Sequence, residues 1–229
     1  MLIRSGEALG IGWSRNMLYS GFNILPRSVV RRQTGFAARI TRTLYGLHDG
    51  SEMNALSSRL HLFHGDITHL DVDAVVTAAN ESLIGGGGVD GAVHDAAGPE
   101  LLAACRYLSP CPAGEARLTQ GYNLKANQVI HAVGPVYDSS KYENGEKLLA
   151  AAYRSSLTLA NENMTTSIAF PCISTGAFGF PADSACRIAI ETTLEWLRSH
   201  EHPKSATFCC FEWSDYALYQ DRFAELGIN

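Results

Sequence analysis

The segment that decides the fold reads Thr77-Ala78-Ala79-Asn80-Glu81-Ser82-Leu83-Ile84-Gly85-Gly86-Gly87-Gly88-Val89-Asp90-Gly91-Ala92-Val93-His94. Its four consecutive glycines have no side chains to keep a ligand away. They can also adopt positive φ, so their backbone N–H groups can turn towards an anion. The segment therefore predicts a phosphate-cradling loop, and the alternative is a flexible turn between a strand and a helix.

The residues after the glycines have a helical spacing. Apolar side chains recur at i, i+3, i+4, i+7 and i+8, and Gly98-Pro99 supplies a stop signal; the apolar residues are Val89, Ala92, Val93, Ala96 and Ala97. The unpaired N–H groups and about half a positive charge at a helix N-terminus favour phosphate. Because no Lys or Arg lies between Thr77 and Glu100, we expect backbone dipoles to hold a diphosphate there.

Two familiar nucleotide motifs are excluded. No Gly-Lys-Ser/Thr follows the glycines, so the loop is not a Walker A motif. The spacing also differs from the dinucleotide motif G-x-G-x-x-G with an acidic residue about 20 positions later.

A second glycine-bearing loop follows a predicted buried strand over residues 167–173. It reads Ser174-Thr175-Gly176-Ala177-Phe178-Gly179 and has no Lys or Arg nearby. Ligands of open α/β sheets lie outside the carboxyl ends of the strands. The two loops are therefore expected to form two sides of one groove.

The rest of the chain alternates strands with helices. Further strands are predicted over residues 60–63, 73–77, 121–124, 128–133 and 206–211. Further helices are predicted over residues 101–107, 144–161 and 215–226, together with a helix capped by Asp183 whose core face carries Cys186, Ala189, Ile190, Thr193, Leu194 and Leu197. This order predicts an α/β fold, a three-layer α/β/α sandwich with a mixed central sheet.

Charge divides the chain into two parts. Residues 1–48 contain seven Arg, no Lys and one acid, a net charge of +6, so the remainder carries −11 of the total of −5. An acidic body makes nucleic acid an improbable partner, because binding to its backbone needs clustered cations. No apolar run approaches ~18 residues, so no membrane partner is expected.

The six cysteines include no C-x-x-C pair. Several lie in apolar stretches, which fits a reduced compartment. No pair has the usual spacing of zinc ligands, so we predict no metal site, and no cofactor is predicted.

Four motifs resemble the macrodomain family, most closely its MacroD-type branch. They are Gly65-Asp66-Ile67-Thr68, the run from Ala78 to His94, the segment from Val129 to Pro135, and the segment from Ile173 to Pro181. The resemblance covers about residues 59 to 225. It implies a macrodomain-like fold that binds ADP-ribose and, for this branch, hydrolyses ADP-ribose esters. Residues 53–229 are the expected macrodomain, and the segment from Met53 looks like the start of a bacterial family member.

The resemblance also implies a binding cleft. It places Asp66 at the adenine amino group with Ile67 beside the ring, and Phe178 against the distal ribose. Phe211 is expected to line the adenine cleft. The alternatives are a turn aspartate for Asp66 and a core phenylalanine for Phe211. The diphosphate is expected between the two loops, which contribute Gly85, Gly86, Gly87, Gly88, Val89, Ser174, Thr175, Gly176 and Ala177.

Asn80 and Asp90 are the expected catalytic residues, with His94 in support. In the implied mechanism Asp90 orients or polarises water and the distal ribose, and Asn80 binds the ribose hydroxyls. His94, at i+4 from Asp90, either fixes Asp90 or is a solvated helix residue. Thr77 departs from the family's usual first Asn, a change we expect to be tolerated. His131, within a strand, is expected to be a satisfied core residue.

Two activities compete for this cleft. The first is hydrolysis of acyl-linked ADP-ribose, from O-acetyl-ADP-ribose or from Asp- and Glu-modified proteins, so the expected partners are ADP-ribose, its esters and mono-ADP-ribosylated proteins. The second is a reader that binds ADP-ribose without turnover, and the aspartate at position 90 favours the enzyme. A terminal-phosphate RNA binder is disfavoured by the acidic body.

The first 52 residues have a different composition from the body. They are rich in Arg and poor in acids, as mitochondrial targeting segments are. An accessory extension is equally compatible with that composition. The expected location is therefore cytoplasmic, with mitochondrial as the alternative if residues 1–52 are a presequence.

Overall fold

A six-stranded mixed sheet forms the centre of the computed structural model, which describes residues 55–228. Its order is β1-β6-β5-β2-β4-β3, and only β3 is antiparallel to its neighbour. The predictions for residues 1–52 lie outside the described residues. The strands are β1 (Leu60–His64), β2 (Ala74–Ala78), β3 (Ala116–Gln120), β4 (Gln128–Ala132), β5 (Ser167–Phe170) and β6 (Ser205–Cys210).

Within residues 55–228, five complete α-helices cover the two faces of the sheet. They are α1 (Gly88–Ala97), α2 (Pro99–Leu108), α3 (Tyr142–Glu162), α4 (Ala182–Ser199) and α5 (Trp213–Leu226). One core contains side chains of α3, α4 and α5, and the other contains side chains of α1 and α2. The predicted three-layer sandwich with a mixed sheet is confirmed. Within residues 55–228, no helix combines the length and the apolar character that a membrane crossing requires.

Strand β2 lies between β5 and β4 and is buried on both faces. Ala74 and Val76 belong to the core under α3 and α4, whereas Val75 and Ala79 belong to the core under α1 and α2. Successive strand residues point to opposite faces. Thr77 therefore shares the face of Val75, and points towards the layer that holds α1.

Two strand predictions need correction. The predicted strand 121–124 is wrong, because β3 ends at Gln120 and residues 121–124 form a turn. Gly121 has no room for a side chain, since a Cβ there would lie 1.8 Å from the Ala126 carbonyl oxygen. Strand β5 ends at Phe170 rather than at residue 173, since Pro171 has no N–H to extend the ladder.

The helix predictions were partly right about the buried faces and wrong at some ends. In α1, Val93 and Ala97 are buried, whereas Ala92 and Ala96, which were expected on the core face, are exposed. The apolar face predicted for α4 is buried. However, Pro181 occupies the N-cap and Asp183 lies in the first turn, where it pairs with Arg222 at 3.6 Å, so Asp183 is not the cap. Gly98 does end α1, with φ +90°, but Pro99 directly begins α2 because proline suits a first helical position.

Candidate active site

The two glycine-bearing loops leave adjacent strands at one edge of the sheet. β2 and β5 run parallel and pair with each other, so their carboxyl ends meet. The first loop runs from Ala79 to Gly87 and leads into α1, and the second runs from Pro171 to Pro181 and leads into α4. The expectation that both loops lie at one edge is confirmed.

The side-chain amide of Asn80 closes the first loop. Its Nδ2 donates to the Gly85 carbonyl oxygen at 2.7 Å, and its Oδ1 accepts from the Ser82 hydroxyl at 2.6 Å. Gly85 has φ +81°, and a Cβ at this position would lie 3.5 Å from the His94 ring. Asn80 therefore shapes the loop, and its second Nδ2 hydrogen remains for another acceptor.

Gly87 and Gly88 form an open helix N-terminus. Gly87 is the N-cap of α1 and brings no capping side chain. A Cβ on either glycine would meet no atom within 4 Å, and Gly88 has φ +60°. Backbone N–H groups at this end have space in front of them, as a site for an anion requires.

Asp90 is a buried carboxylate at the start of α1. Its exposed fraction is 3%. Thr77 Oγ1 donates to Oδ1 at 2.9 Å, whereas the buried Oδ2 has no partner. A Cβ on Gly86 would lie 3.7 Å from both Asp90 Oδ2 and Asn80 Nδ2. The structure thus brings Asn80 and Asp90 together around Gly86.

Burial raises the pKa of Asp90 above its ordinary value. The hydrogen bond from Thr77 and the nearby His94 act in the opposite direction, because each favours the charged carboxylate. The balance leaves a carboxylate that accepts a proton more readily than one in water.

His94 lies beneath the loop rather than in solvent. Its side chain is 12% exposed, and Nε2 is 3.9 Å from Asp90 Oδ1, which is within range of an ion pair but too long for a hydrogen bond. The alternative of a solvated helix residue is therefore wrong. The His94 ring lies on the side of Gly85 where a Cβ would point, and it is next to the Asp90 carboxylate.

The second loop is closed by its own backbone. Ser174 adopts φ +68°, and its carbonyl oxygen accepts from the Phe180 N–H at 2.9 Å. Thr175 Oγ1 donates to the Cys172 carbonyl oxygen at 3.0 Å. Gly176 and Ala177 are exposed and Phe178 is half-buried. Val89, in the first turn of α1, is also half-buried. The exposed part of this loop is thus small and uncharged.

Two further glycines are required by close contacts that the sequence interpretation missed. A Cβ on Gly91 would lie 2.5 Å from the Gly86 carbonyl oxygen. One on Gly134 would lie 2.1 Å from Ser174 Oγ. Both glycines belong to the quoted motifs, but motif membership alone does not reveal these contacts. Each lets one loop rest against a neighbouring element.

Asp66 and Phe211 are the residues that the resemblance assigns to the adenine end of the cleft. Asp66 Oδ1 accepts from Thr68 N at 2.9 Å and from Thr68 Oγ1 at 2.7 Å, capping the short 3-10 helix Ile67–His69. Burial raises the pKa of Asp66, but these two hydrogen bonds outweigh it and the pKa lies below its ordinary value. Ile67 is buried, whereas Phe211 is 71% exposed, so the core alternative for Phe211 is wrong.

A buried polar cluster lies behind the loop. His94, Cys105 and His131 bring one ligand atom each within 4.8 Å of one another. However, Thr119 Oγ1 already contacts His131 Nε2 at 2.9 Å, and Cys105 Sγ is nearly equidistant from both ring nitrogens, at 3.6 and 3.8 Å. With Thr119 on Nε2 and Cys105 beside the ring, protein groups pack and hydrogen-bond the His131 side chain. His131 is fully buried and hydrogen-bonded, as expected.

Known proteins resemble this chain in sequence and in fold. The model of the Macro domain family matches residues 76–189. A macro domain-containing protein of Chlorobaculum tepidum is 52% identical over 165 residues, which are 72% of this chain and 95% of that protein. An ADP-ribose glycohydrolase of Homo sapiens is 48% identical over 172 residues, 75% of this chain and 40% of that protein.

Another relative and two solved structures extend the comparison. An O-acetyl-ADP-ribose deacetylase of Cronobacter sakazakii is 48% identical over 169 residues, 72% of this chain and 93% of that protein. A Gly→Val variant of the Oceanobacillus iheyensis macrodomain with ADPR has a TM-score of 0.70 at 38% identity, covering 74% of this chain and 94% of that one. The Trypanosoma brucei macrodomain in complex with ADP-ribose has a TM-score of 0.67 at 42% identity, and the match covers 72% of this chain and 68% of that one.

The fold and the site define an α/β domain that presents two glycine-bearing loops and a buried carboxylate at the carboxyl edge of its sheet. The chain belongs to the macrodomain family.

Proposed function

We propose that this protein hydrolyses esters of ADP-ribose, removing the acyl group of O-acetyl-ADP-ribose or releasing ADP-ribose from Asp- and Glu-modified proteins. The observation that carries the proposal is the buried Asp90, whose Oδ2 has no protein partner and faces Gly86 beside Asn80. A domain that only binds needs no carboxylate there, because burying an unpartnered charge is unfavourable. The names of relatives at 48% identity support the same chemistry.

The backbone loops supply the binding end of this mechanism. The open N-terminus of α1 at Gly87 and Gly88 holds the diphosphate through N–H groups, and the loop at Gly176 covers it from the opposite side. Asn80 Nδ2 donates its remaining hydrogen to a hydroxyl oxygen of the distal ribose. No cation is required, which agrees with the absence of Lys and Arg between Thr77 and Glu100.

Asp90 acts on water at the reacting end. Oδ2 accepts a hydrogen bond from a water molecule and increases its nucleophilicity. The water oxygen forms a bond to the ester carbonyl carbon or to the anomeric carbon, and the bond from that carbon to the leaving oxygen breaks. Asp90 takes one proton of the water and passes it to the leaving oxygen, and the other proton stays on the attacking oxygen, giving ADP-ribose and a carboxylic acid. No covalent enzyme intermediate is needed.

One pair of assays tests the proposal. Purified protein is incubated with O-acetyl-ADP-ribose and, separately, with a protein that carries ADP-ribose on Asp or Glu, and the products are separated by chromatography and mass spectrometry. We expect free ADP-ribose together with acetate or unmodified protein, and the rates rank the two substrates. Tight ADP-ribose binding without turnover on either ester would identify a reader instead.

A further inference from the structure

Thr77 is the residue of the central strand that contacts the proposed catalytic group. It is completely buried and lies next to the carboxyl end of β2, in register with His131 of β4. Its hydroxyl is 2.9 Å from Asp90 Oδ1, a normal distance for a hydrogen bond to a carboxylate. A buried threonine needs a partner for its hydroxyl, and here that partner is a side chain of the site.

The hydrogen bond from Thr77 is the one that holds the Asp90 carboxylate within residues 55–228. Oδ2 has no partner, and His94 Nε2 is 3.9 Å from Oδ1. Because one oxygen is bound from the strand side, rotation of the carboxylate about its last side-chain bond is restricted. The unbound oxygen is consequently held towards Gly86.

The other titratable groups near Asp90 come from three elements. His94 lies on the same helix, Cys105 on α2 and His131 on β4. Burial lowers the pKa of His131 to about 3 and raises the pKa of Cys105 to about 11, so both are neutral near pH 7. Neither Cys105 nor His131 therefore supplies a charge that compensates that of the Asp90 carboxylate. A neutral hydrogen-bond donor at position 77 therefore has a large share in stabilising the ionised carboxylate.

We infer that Thr77 is a positioning residue for hydrolysis: its hydroxyl fixes Asp90 so that Oδ2 faces the reacting end. This inference rests on the proposed function. It also explains how a chain with threonine, rather than the asparagine expected from the resemblance, keeps a donor beside the carboxylate. The donor group is retained although the residue has changed.

The experiment compares Thr77→Val with Thr77→Ser in the full chain. Valine has the shape of threonine without the hydroxyl, and serine keeps the hydroxyl. For Thr77→Val we expect kcat on the better ester substrate to fall about tenfold or more, since a hydrogen bond to a charged group is lost. ADP-ribose affinity should change less than about threefold, because the backbone loops are untouched. Thr77→Ser should retain most of the wild-type rate.

A pH profile separates positioning from general damage to the fold. Hydrolysis needs the Asp90 carboxylate, so kcat/KM falls as the pH drops through the pKa of Asp90. Removal of a donor to the charged form raises that pKa. The acid limb of Thr77→Val should therefore move to higher pH, while that of Thr77→Ser stays near the wild-type position. In an Asp90→Ala background, Thr77→Val should cause no further loss of turnover.

A measurement without substrate keeps the two proposals apart. The carboxyl carbon of Asp90, labelled with ¹³C and titrated by NMR, should show a higher pKa in Thr77→Val. Thr77→Ala replaces the valine variant if the latter does not fold. If Thr77→Val leaves the pKa of Asp90 unchanged, the positioning role alone is overturned. The same holds if Thr77→Val turns over substrate at the wild-type rate with the acid limb of its pH profile unchanged. Absence of turnover in the wild-type protein overturns the proposed function, and with it the role of Thr77 in hydrolysis.

Discussion

The two ends of the proposed cleft are built in different ways. At one end the carboxylate of Asp90 is 3% exposed and is held by Thr77 of a neighbouring strand. At the other end Asp66 is held by Thr68, two residues away, and Phe211 is 71% exposed. The first end depends on tertiary contacts, and the second on local ones. We infer that the reacting end is rigid and chemically tuned, whereas the adenine end provides affinity.

The strongest test of this difference is Asp90→Ala. We expect kcat and kcat/KM to fall together by about a hundredfold or more, because general base assistance usually contributes that much. ADP-ribose affinity, measured by calorimetry, should change by less than about threefold. Asp71→Ala is a matched control, since Asp71 is an exposed carboxylate just before β2 and should behave as wild type. Equal rates for wild type and Asp90→Ala would remove Asp90 from the mechanism.

Gly87→Val tests the holding of the diphosphate between the two ends. The Gly87 backbone has φ −98°, which valine can adopt, and a Cβ there meets no protein atom within 4 Å. The variant should fold normally and bind ADP-ribose about tenfold more weakly, because the branched side chain enters the space of the diphosphate. Adenosine affinity should be unchanged.

Gly91→Ala is the structural counterpart in the same segment. Its Cβ would lie 2.5 Å from the Gly86 carbonyl oxygen, so the loop must shift. The thermal midpoint of unfolding of Gly91→Ala should be lower than that of Gly87→Val. If Gly87→Val weakened adenosine and ADP-ribose equally, the loop would have a structural role and not a role in binding phosphate.

These contacts mark the limit of what the sequence predicts. The period of apolar residues indicates β2 and α1, and chain order alone indicates that Asn80 and Asp90 converge. Neither reveals that Gly91 must accommodate the Gly86 carbonyl, because that distance depends on how tightly the loop folds back on the helix. Pairs such as Thr77 and Asp90 are separated by 13 residues and meet only through the packing of α1 on the sheet.

The predictions that failed concern one strand, part of the core face of α1 and some ends of elements. The strand predicted over residues 121–124 is a turn, and the Ala126 carbonyl oxygen leaves no space for a side chain at Gly121. Asp183 has the residue type of a cap, but the chain enters α4 through Pro181. In both cases a local preference was outweighed by neighbouring backbone.

Asp90→Asn tests whether the buried carboxylate at the reacting end lowers the stability of the folded protein. Burial raises the pKa of Asp90, so the folded state binds the proton more tightly than the unfolded state. Stability contributed by this group is therefore present at low pH, and is lost as the pH rises from the unfolded pKa through the raised folded pKa. Asparagine still accepts from Thr77 and carries no charge.

The thermal midpoint of Asp90→Asn should thus exceed that of wild type at pH 7. The difference should shrink as the pH falls through the raised pKa of Asp90, where the wild-type carboxyl becomes protonated. A midpoint at or below wild type at pH 7 would show that the ionised carboxylate is fully compensated by its surroundings. In that case the buried carboxylate would not lower the stability of the fold, and the two ends of the cleft would not differ in this respect.

The smallest effect is expected at the exposed end, for Phe211→Ala. Because the ring is mostly exposed, its removal should leave the free energy of unfolding within about 0.5 kcal/mol of wild type. A base–aromatic contact contributes about 1 kcal/mol at the low end of its usual range, so ADP-ribose and adenosine should both bind about fivefold more weakly. The value of kcat should not change, since the ring is remote from Asp90 in this assignment. Tyr107→Ala, which removes an exposed aromatic of α2, is the matched control. A fall in kcat with unchanged affinity would place Phe211 at the reacting end and reverse the assignment of the two ends.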